Sequence, residues 1–197
     1  MDELLRYFNS IYPLSAELST YMTTMLKYRE FRKKDFLLKQ GRVSNHIYFI
    51  GKGLLRCYYL KNSTEVCSWF MKEGDLCVSV ESFFKQTSSY ENIQAIEDCI
   101  VYFMDYKDVQ FMYRNFPESN FIGRVLTELY YTLSEQRLYS LRMQKADDRY
   151  FFIMQNHQEL IQRVPSKYLA SYLGISEETL SRIRGGKMNK LINVKLQ

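Results

Sequence analysis

The 197 residues contain two histidines, one tryptophan, three prolines and eight glycines. Metal enzymes built on β jelly rolls need two or three histidines with a carboxylate on neighbouring strands. Here His46 lies in a strand-rich region and His157 in a helical one, so no His-rich centre can assemble. GxSxG, HExxH and P-loop patterns are also missing. No catalytic residue, metal ligand or cofactor is therefore assigned, and the chain is not expected to be an enzyme. Few prolines and glycines exclude a long disordered tract. No run of about 18 apolar residues is present, which excludes a membrane-spanning helix. The opening "MDELLRYFNS" is acidic where a secretory leader is basic, so the expected location is the cytoplasm, with no membrane partner.

Closely spaced cysteine pairs are missing as well. Cys57, Cys67, Cys77 and Cys99 are ten or more residues apart, too sparse for an iron–sulfur cluster or a CxxC redox motif. Cys57 and Cys67 flank a turn signal at Asn62-Ser63 and can face each other across a hairpin. A reducing cytoplasm favours buried free thiols on strands.

What the chain does have is 46% hydrophobic residues, enough for a core, and a net charge of +5. The charge is segregated. Residues 1–136 hold 16 basic and 17 acidic side chains, whereas residues 137–197 hold 11 and 5. All net basicity thus sits in the last third, as expected of a nucleic-acid-binding module attached to a neutral one. A solvated basic face without a partner is the bland alternative.

Apolar spacing predicts helix from Asp2 to Tyr28, broken at Pro13 and restarted by Ser15 as N-cap. From Lys27 to Tyr106 short runs such as "HIYFIGKG", "LLRCYYL", "LCVSV" and "CIVYFMDY" alternate with turn signals, predicting six or more antiparallel strands. A short helix precedes Pro117, and a long one runs to about Met143. Its Ile122, Val125, Leu126, Leu129 and Leu133 form an apolar seam suited to the same helix of a second chain. Burial of the seam within one chain is the lesser alternative. Residues 146–164 read as helical, followed by two short helices around Gly174. Ser176 caps the second, while Leu169, Ala170, Leu173, Leu180 and Ile183 provide its apolar contacts. The predicted class is α+β: an N-terminal antiparallel jelly roll or barrel (1–116), a long dimerisation helix (117–144) and a C-terminal helix-turn-helix domain (145–197).

With "GRVSNHIYFIGKGLLRCYY", "GDLC", the long helix and "ELIQRVPSKYLASYLGISEETLSRIR", the chain resembles the Crp/Fnr transcription regulators, especially their Bacteroidetes-type members. The resemblance implies a cyclic-nucleotide-binding-type barrel, a dimerisation helix and a winged helix-turn-helix. It further implies a homodimer on double-stranded DNA, with RNA polymerase as a partner the family allows. The second helix would enter the major groove. Glu178 and Arg182 match positions that read base edges, suited to a cytosine amino group and to guanine O6 and N7. Glu177 departs from the common arginine, which implies a different half-site. Ser176, Thr179, Ser181, Lys167, Arg184 and Lys187 are candidate DNA-backbone contacts. An ordinary surface ion pair between Glu178 and Arg182 is the alternative, worth about 0.2–0.5 kcal/mol.

The effector pocket departs from the family pattern. Val78-Ser79 and Ser89-Tyr90 stand where cyclic-nucleotide binders carry Gly-Glu and Arg-Ser or Arg-Thr, so the cation for the phosphate and the acceptor for the ribose are missing. Cyclic AMP is therefore not the expected effector, and the small molecule is not identified. Ser79, Glu81, Ser82, Ser89, Tyr90, Asn92 and Ser134 are candidates for a small polar site. A sandwich filled by Phe83, Phe84 and Trp69 is the alternative. The rival to the whole reading is a ligand-sensing or oligomeric β-barrel module without sequence-specific DNA binding.

Overall fold

A computed structural model describes the backbone of residues 2–195 and the side chains of residues 2–186. Two short helices open the chain, α1 (Asp2–Ile11) and α2 (Ala16–Met25). Ser15 caps α2 by accepting from the Leu18 amide at 3.1 Å, satisfying one of the helix's orphan N–H groups. Its hydroxyl also donates to Glu118 at 2.5 Å.

The strands follow as β1 (Lys27–Phe31), β2 (Phe36–Leu38), β3 (His46–Lys52), β4 (Leu55–Lys61), β5 (Thr64–Met71), β6 (Leu76–Cys77), β7 (Glu91–Ala95) and β8 (Cys99–Asp105). They form two four-stranded antiparallel sheets, β1-β8-β3-β6 and β2-β7-β4-β5, in a jelly-roll-like arrangement. Tyr48, Ile50, Leu55, Cys57, Ile93, Val101 and Phe103 fill the space between them. Asn62 and Ser63 both take positive φ, 49° and 65°, the conformation a two-residue hairpin turn requires. One segment differs from the strand pattern expected of "LCVSV": β6 stops at Cys77, and α3 (Val80–Lys85) begins three residues later.

The remaining elements are helical: α4 (Tyr106–Asn115), α5 (Pro117–Met143), α6 (Ala146–Asn156), α7 (Gln158–Arg163), α8 (Ser166–Leu173) and α9 (Glu177–Lys195). The single helix expected over 146–164 is interrupted at His157, whose amide closes α6 on Ile153 and whose carbonyl starts α7 through Leu160. Gly185 and Gly186 sit inside α9 rather than ending it. Contacts divide the chain into two compact units, Met1–Tyr59 with Ser68–Tyr131, and Leu60–Cys67 with Thr132–Gln197. The tip of the β4–β5 hairpin thus groups with the C-terminal helices. Among the described residues no helix is long and apolar enough to cross a membrane.

Candidate nucleic-acid interface and effector site

The turn between α8 and α9 is set by Gly174, which adopts a left-handed φ of 67°. Its amide bonds to the Ser171 carbonyl at 3.0 Å, and the Ile175 amide reaches back to Ala170 at 3.1 Å. These bonds close α8 in the manner of a left-handed C-cap. Ser176 then caps α9, accepting from the Thr179 amide at 3.2 Å. Leu180 and Ile183 are buried, as are Leu169, Ala170 and Leu173 of α8, so the opposite side of α9 is fixed toward solvent.

On that side Glu177, Glu178, Ser181 and Arg182 are exposed. No ion pair joins Glu178 to Arg182. The Ser176 hydroxyl beside Glu178 holds its carboxyl below the usual range, helped by its own backbone amide. Arg182 has no hydrogen-bond or ion-pair partner among the described residues. Thr179 is half-buried, its hydroxyl 3.2 Å from Ser176. Lys167 is exposed, whereas Arg184 is partly occupied, donating to Ser166 at 2.8 Å. The side chain of Lys187 lies outside the described residues.

Two side chains from other elements, Arg137 and Arg149, and one of its own, Ser171, hold α8 within the same unit. Arg137 of α5 lies 3.6 Å over the Tyr172 ring and donates to the Tyr172 carbonyl. Arg149 of α6 donates to the Leu173 carbonyl at 2.9 Å and to Gln144 at 2.5 Å. Both arginines thus serve the negative, C-terminal end of α8. Ser171 faces β5, accepting from the Cys67 amide at 2.9 Å and donating to the Glu65 carbonyl at 3.1 Å. None of Arg137, Arg149 or Ser171 is prominent in the sequence pattern. Their only signal there is a polar residue at a position where a short helix must pack.

In the jelly roll, Ser79 and Ser89 are buried with their hydroxyls 3.0 Å apart. Ser89 also donates to the Glu91 carbonyl and accepts from its amide, both at 3.0 Å. Burial pushes the Glu91 carboxyl up, opposed by a hydrogen bond from Ser79. Opposite Glu91 in register stands Tyr59, whose phenol is pushed up to about 12 by burial, with the Glu91 charge second. Tyr90 lies 5.5 Å from the Tyr59 ring and hydrogen-bonds Glu81, which also pairs with Lys85 at 2.8 Å. Ser79, Glu81, Ser89 and Tyr90 therefore come together, joined by Glu91 and Tyr59.

Ser82, Asn92 and Ser134 do not join them. Ser82 is consumed by structure, bonded to the Ser44 amide and the Thr87 carbonyl. Asn92 alternates to the other face of β7 and accepts from the Gln40 amide at 3.0 Å. Ser134 is exposed on the part of α5 that belongs to the second unit. Arg56, fully buried, shares the Asn92 face; its guanidinium bonds Gln94 at 2.6 and 2.9 Å and stacks 4.0 Å from Tyr58. The aromatic filling divides similarly: Trp69 packs on the sandwich core, Phe83 sits among the helices, and Phe84 is exposed.

On α5 the apolar seam is corrected by burial. Ile122 and Leu126 lie in a core cluster of their own unit with Leu4, Phe49 and Leu76, so they cannot meet a partner helix. Val125 and Leu133 are half-buried, and Leu129 is exposed. A largely exposed row runs one helical stripe over, through Phe121, Val125, Leu129, Thr132, Gln136, Tyr139 and Met143, at steps of three and four.

Residues 28–116 match the cyclic nucleotide-binding domain family. No curated protein sequence matches the chain. Solved structures resemble it through most of its length. A transcriptional regulator assigned to the Crp/Fnr family from Eubacterium rectale superimposes with a TM-score of 0.72 at 13% identity, covering 91% of this chain and 88% of that one. FixK2 from Bradyrhizobium japonicum gives 0.71 at 16% identity, over 84% and 85%. CLP from Xanthomonas campestris, a regulator responsive to c-di-GMP, gives 0.65 at 14% identity, over 89% and 93%. At these identities the likeness is one of fold.

In a cyclic nucleotide-binding domain the interior must meet an anionic phosphate. The polar cluster here presents two carboxylates, two tyrosines and two serines, and its only cation among the described residues, Lys85, is paired with Glu81. Those residues do not fit the phosphate. Among the described residues, no group of His, Cys, Asp and Glu could hold a metal ion.

Proposed function

We propose that the chain is a DNA-binding transcriptional regulator of the Crp/Fnr type, working as a homodimer on a two-fold-related operator. Residues 1–116 form its sensor domain, 117–144 its dimerisation helix and 145–197 its helix-turn-helix domain. The observation that carries this reading is α9: a capped helix, buried on one side, that exposes Glu178 and Arg182 without pairing them, within a third of the chain holding 11 basic and 5 acidic residues. A guanidinium with no partner among the described residues can take guanine O6 and N7, and a carboxylate one turn earlier can accept from cytosine. Ser181 and Lys167 are exposed for phosphate contacts, with Arg184 available once it leaves Ser166. Two copies would pair along the exposed row of α5, which places half-sites about one helical turn of DNA apart. RNA polymerase is the further partner this reading brings, and the cytoplasm is its location.

The effector in this reading is not a cyclic nucleotide. Glu91 and Glu81 repel a phosphate in the cluster where a cation would be needed, and Arg56 lies on the opposite face of the β4–β7 pair.

Binding of genomic promoter fragments, followed by fluorescence anisotropy against salt, tests the reading. Affinity should fall steeply with salt and retain a sequence-dependent part. Arg182→Ala should cost about 1–3 kcal/mol and relax preference at one base pair. Binding no tighter to any fragment than to random duplex overturns it.

A further inference from the structure

The helical layer of the first unit lines a cavity of about 70 Å³ that is partly open at one side. Its walls come from α1, α2, β3, β6, β8, α4 and α5, and are mostly apolar. Native interiors hold few voids larger than a water molecule, and a water needs two to four polar partners to stay. None is on offer. The Ser119 hydroxyl is already engaged by backbone, 2.8 Å from the Met112 carbonyl of α4 and 2.7 Å from that of Phe116. The Leu76 amide is taken by the Tyr130 hydroxyl at 2.8 Å.

Two features set this void apart from a packing defect. Met22, Met104 and Met112 all line it, and methionine's unbranched, polarizable side chain suits a wall that adjusts to its contents. Gly123 and Tyr113 meet at another side: a Cβ on Gly123 would stand 2.9 Å from the Tyr113 ring. Only glycine lets that ring lie against α5, and the ring's position shapes the cavity.

From these observations we infer that the cavity is a binding site for small, uncharged, apolar molecules, in the size range of xenon to a three-carbon hydrocarbon. A larger aromatic is excluded by volume, since benzene occupies engineered apolar cavities of about 150 Å³. Ile122, Gly123 and Leu126 of α5 belong to the wall, so a bound molecule presses directly on that helix. The site is separate from the Ser79–Glu91 cluster. It deepens the sensing half of the function proposed above, yet binding at the cavity does not depend on whether the chain reads DNA.

The test is methyl NMR of the full chain under xenon pressure, repeated with cyclopropane. The methyl signals of Met22, Met104 and Met112 should shift saturably, while those of Met71, in the sandwich core, and Met143, at the exposed end of α5, stay in place. Leu126→Phe and, separately, Met112→Phe should fill the void and reduce the xenon-induced shifts at the remaining methionines at least tenfold; two variants guard against one that does not fold, judged by its unliganded spectrum. No saturable shift at the three methionines, or equal shifts in both folded fillers, overturns the inference. Xenon binding without operator binding would retain this site and refute the DNA reading; the reverse result would do the opposite.

Discussion

The guanidinium of Arg137 lies 3.6 Å above the ring of Tyr172 and donates to the carbonyl of the same residue. One side chain of α5 thereby fixes both the face and the C-terminal end of α8. Burial pulls the Arg137 pKa down, its Nε makes no hydrogen bond, and the neighbouring charge of Arg149 adds to the cost. Stacking and carbonyl capping must outweigh that cost for the arrangement to persist.

Arg137→Ala should therefore destabilise the protein by about 1–3 kcal/mol, the combined range for a desolvated cation–π contact and a charged hydrogen bond. Arg137→Lys should recover less than half, because an ammonium has no planar face to lay on the ring. Urea unfolding of both variants gives the comparison; full recovery by lysine would show that charge alone matters.

Ser171 stands against the edge strand β5 and returns both halves of a backbone exchange, one from Cys67 and one to Glu65. A side chain thus does what a ninth strand would do. Ser171→Ala should raise the hydrogen-exchange rate of the Cys67 amide by about tenfold, the equivalent of losing one hydrogen bond worth roughly 1.4 kcal/mol. Amides of Ile50 and Val101, inside the other sheet, should exchange as before.

Glu91 yields a pH dependence whose sign follows from burial. Its folded pKa is raised above the ordinary 4.5, so the folded chain holds this proton more tightly than the unfolded chain. The stabilising contribution is complete below pH 4.5 and disappears as pH rises through the raised folded value. Glu91→Gln, which keeps the shape without the charge, should raise the melting temperature at pH 7 and leave it unchanged at pH 4. A drop at pH 7 would mean that the carboxylate is stabilised in place.

Much of this architecture is legible in the residue pattern. Pro13 and Ser15 mark the start of α2, Asn62-Ser63 marks the β4–β5 turn, and Gly174 with Ser176 marks the boundary of α8 and α9. These signals are local, because each depends on φ preference or on a side chain bonding its own backbone. Three features were not legible for the opposite reason. "LCVSV" reads as one strand because its apolar residues do not reveal that Ser79 turns inward to Ser89 and α3 begins. Ile122 and Leu126 read as an interface seam because periodicity identifies an apolar stripe but not what covers it; here Leu4, Phe49 and Leu76 do. Asn92 and Glu91 differ by one residue, and only the strand register decides which of them faces the interior.

All four cysteines are buried, with the Cys57 and Cys77 sulfurs 3.9 Å apart and the Cys99 thiol pushed up to about 11 by burial. Shielded from solvent, they react slowly while the chain is folded. An alkylating reagent can meet them only when the strands around them separate. Cys57, Cys77 and Cys99 belong to the first unit and Cys67 to the second. The protein thus carries its own pair of clocks: one set of thiols times the opening of the sandwich, and the other times the release of the hairpin tip.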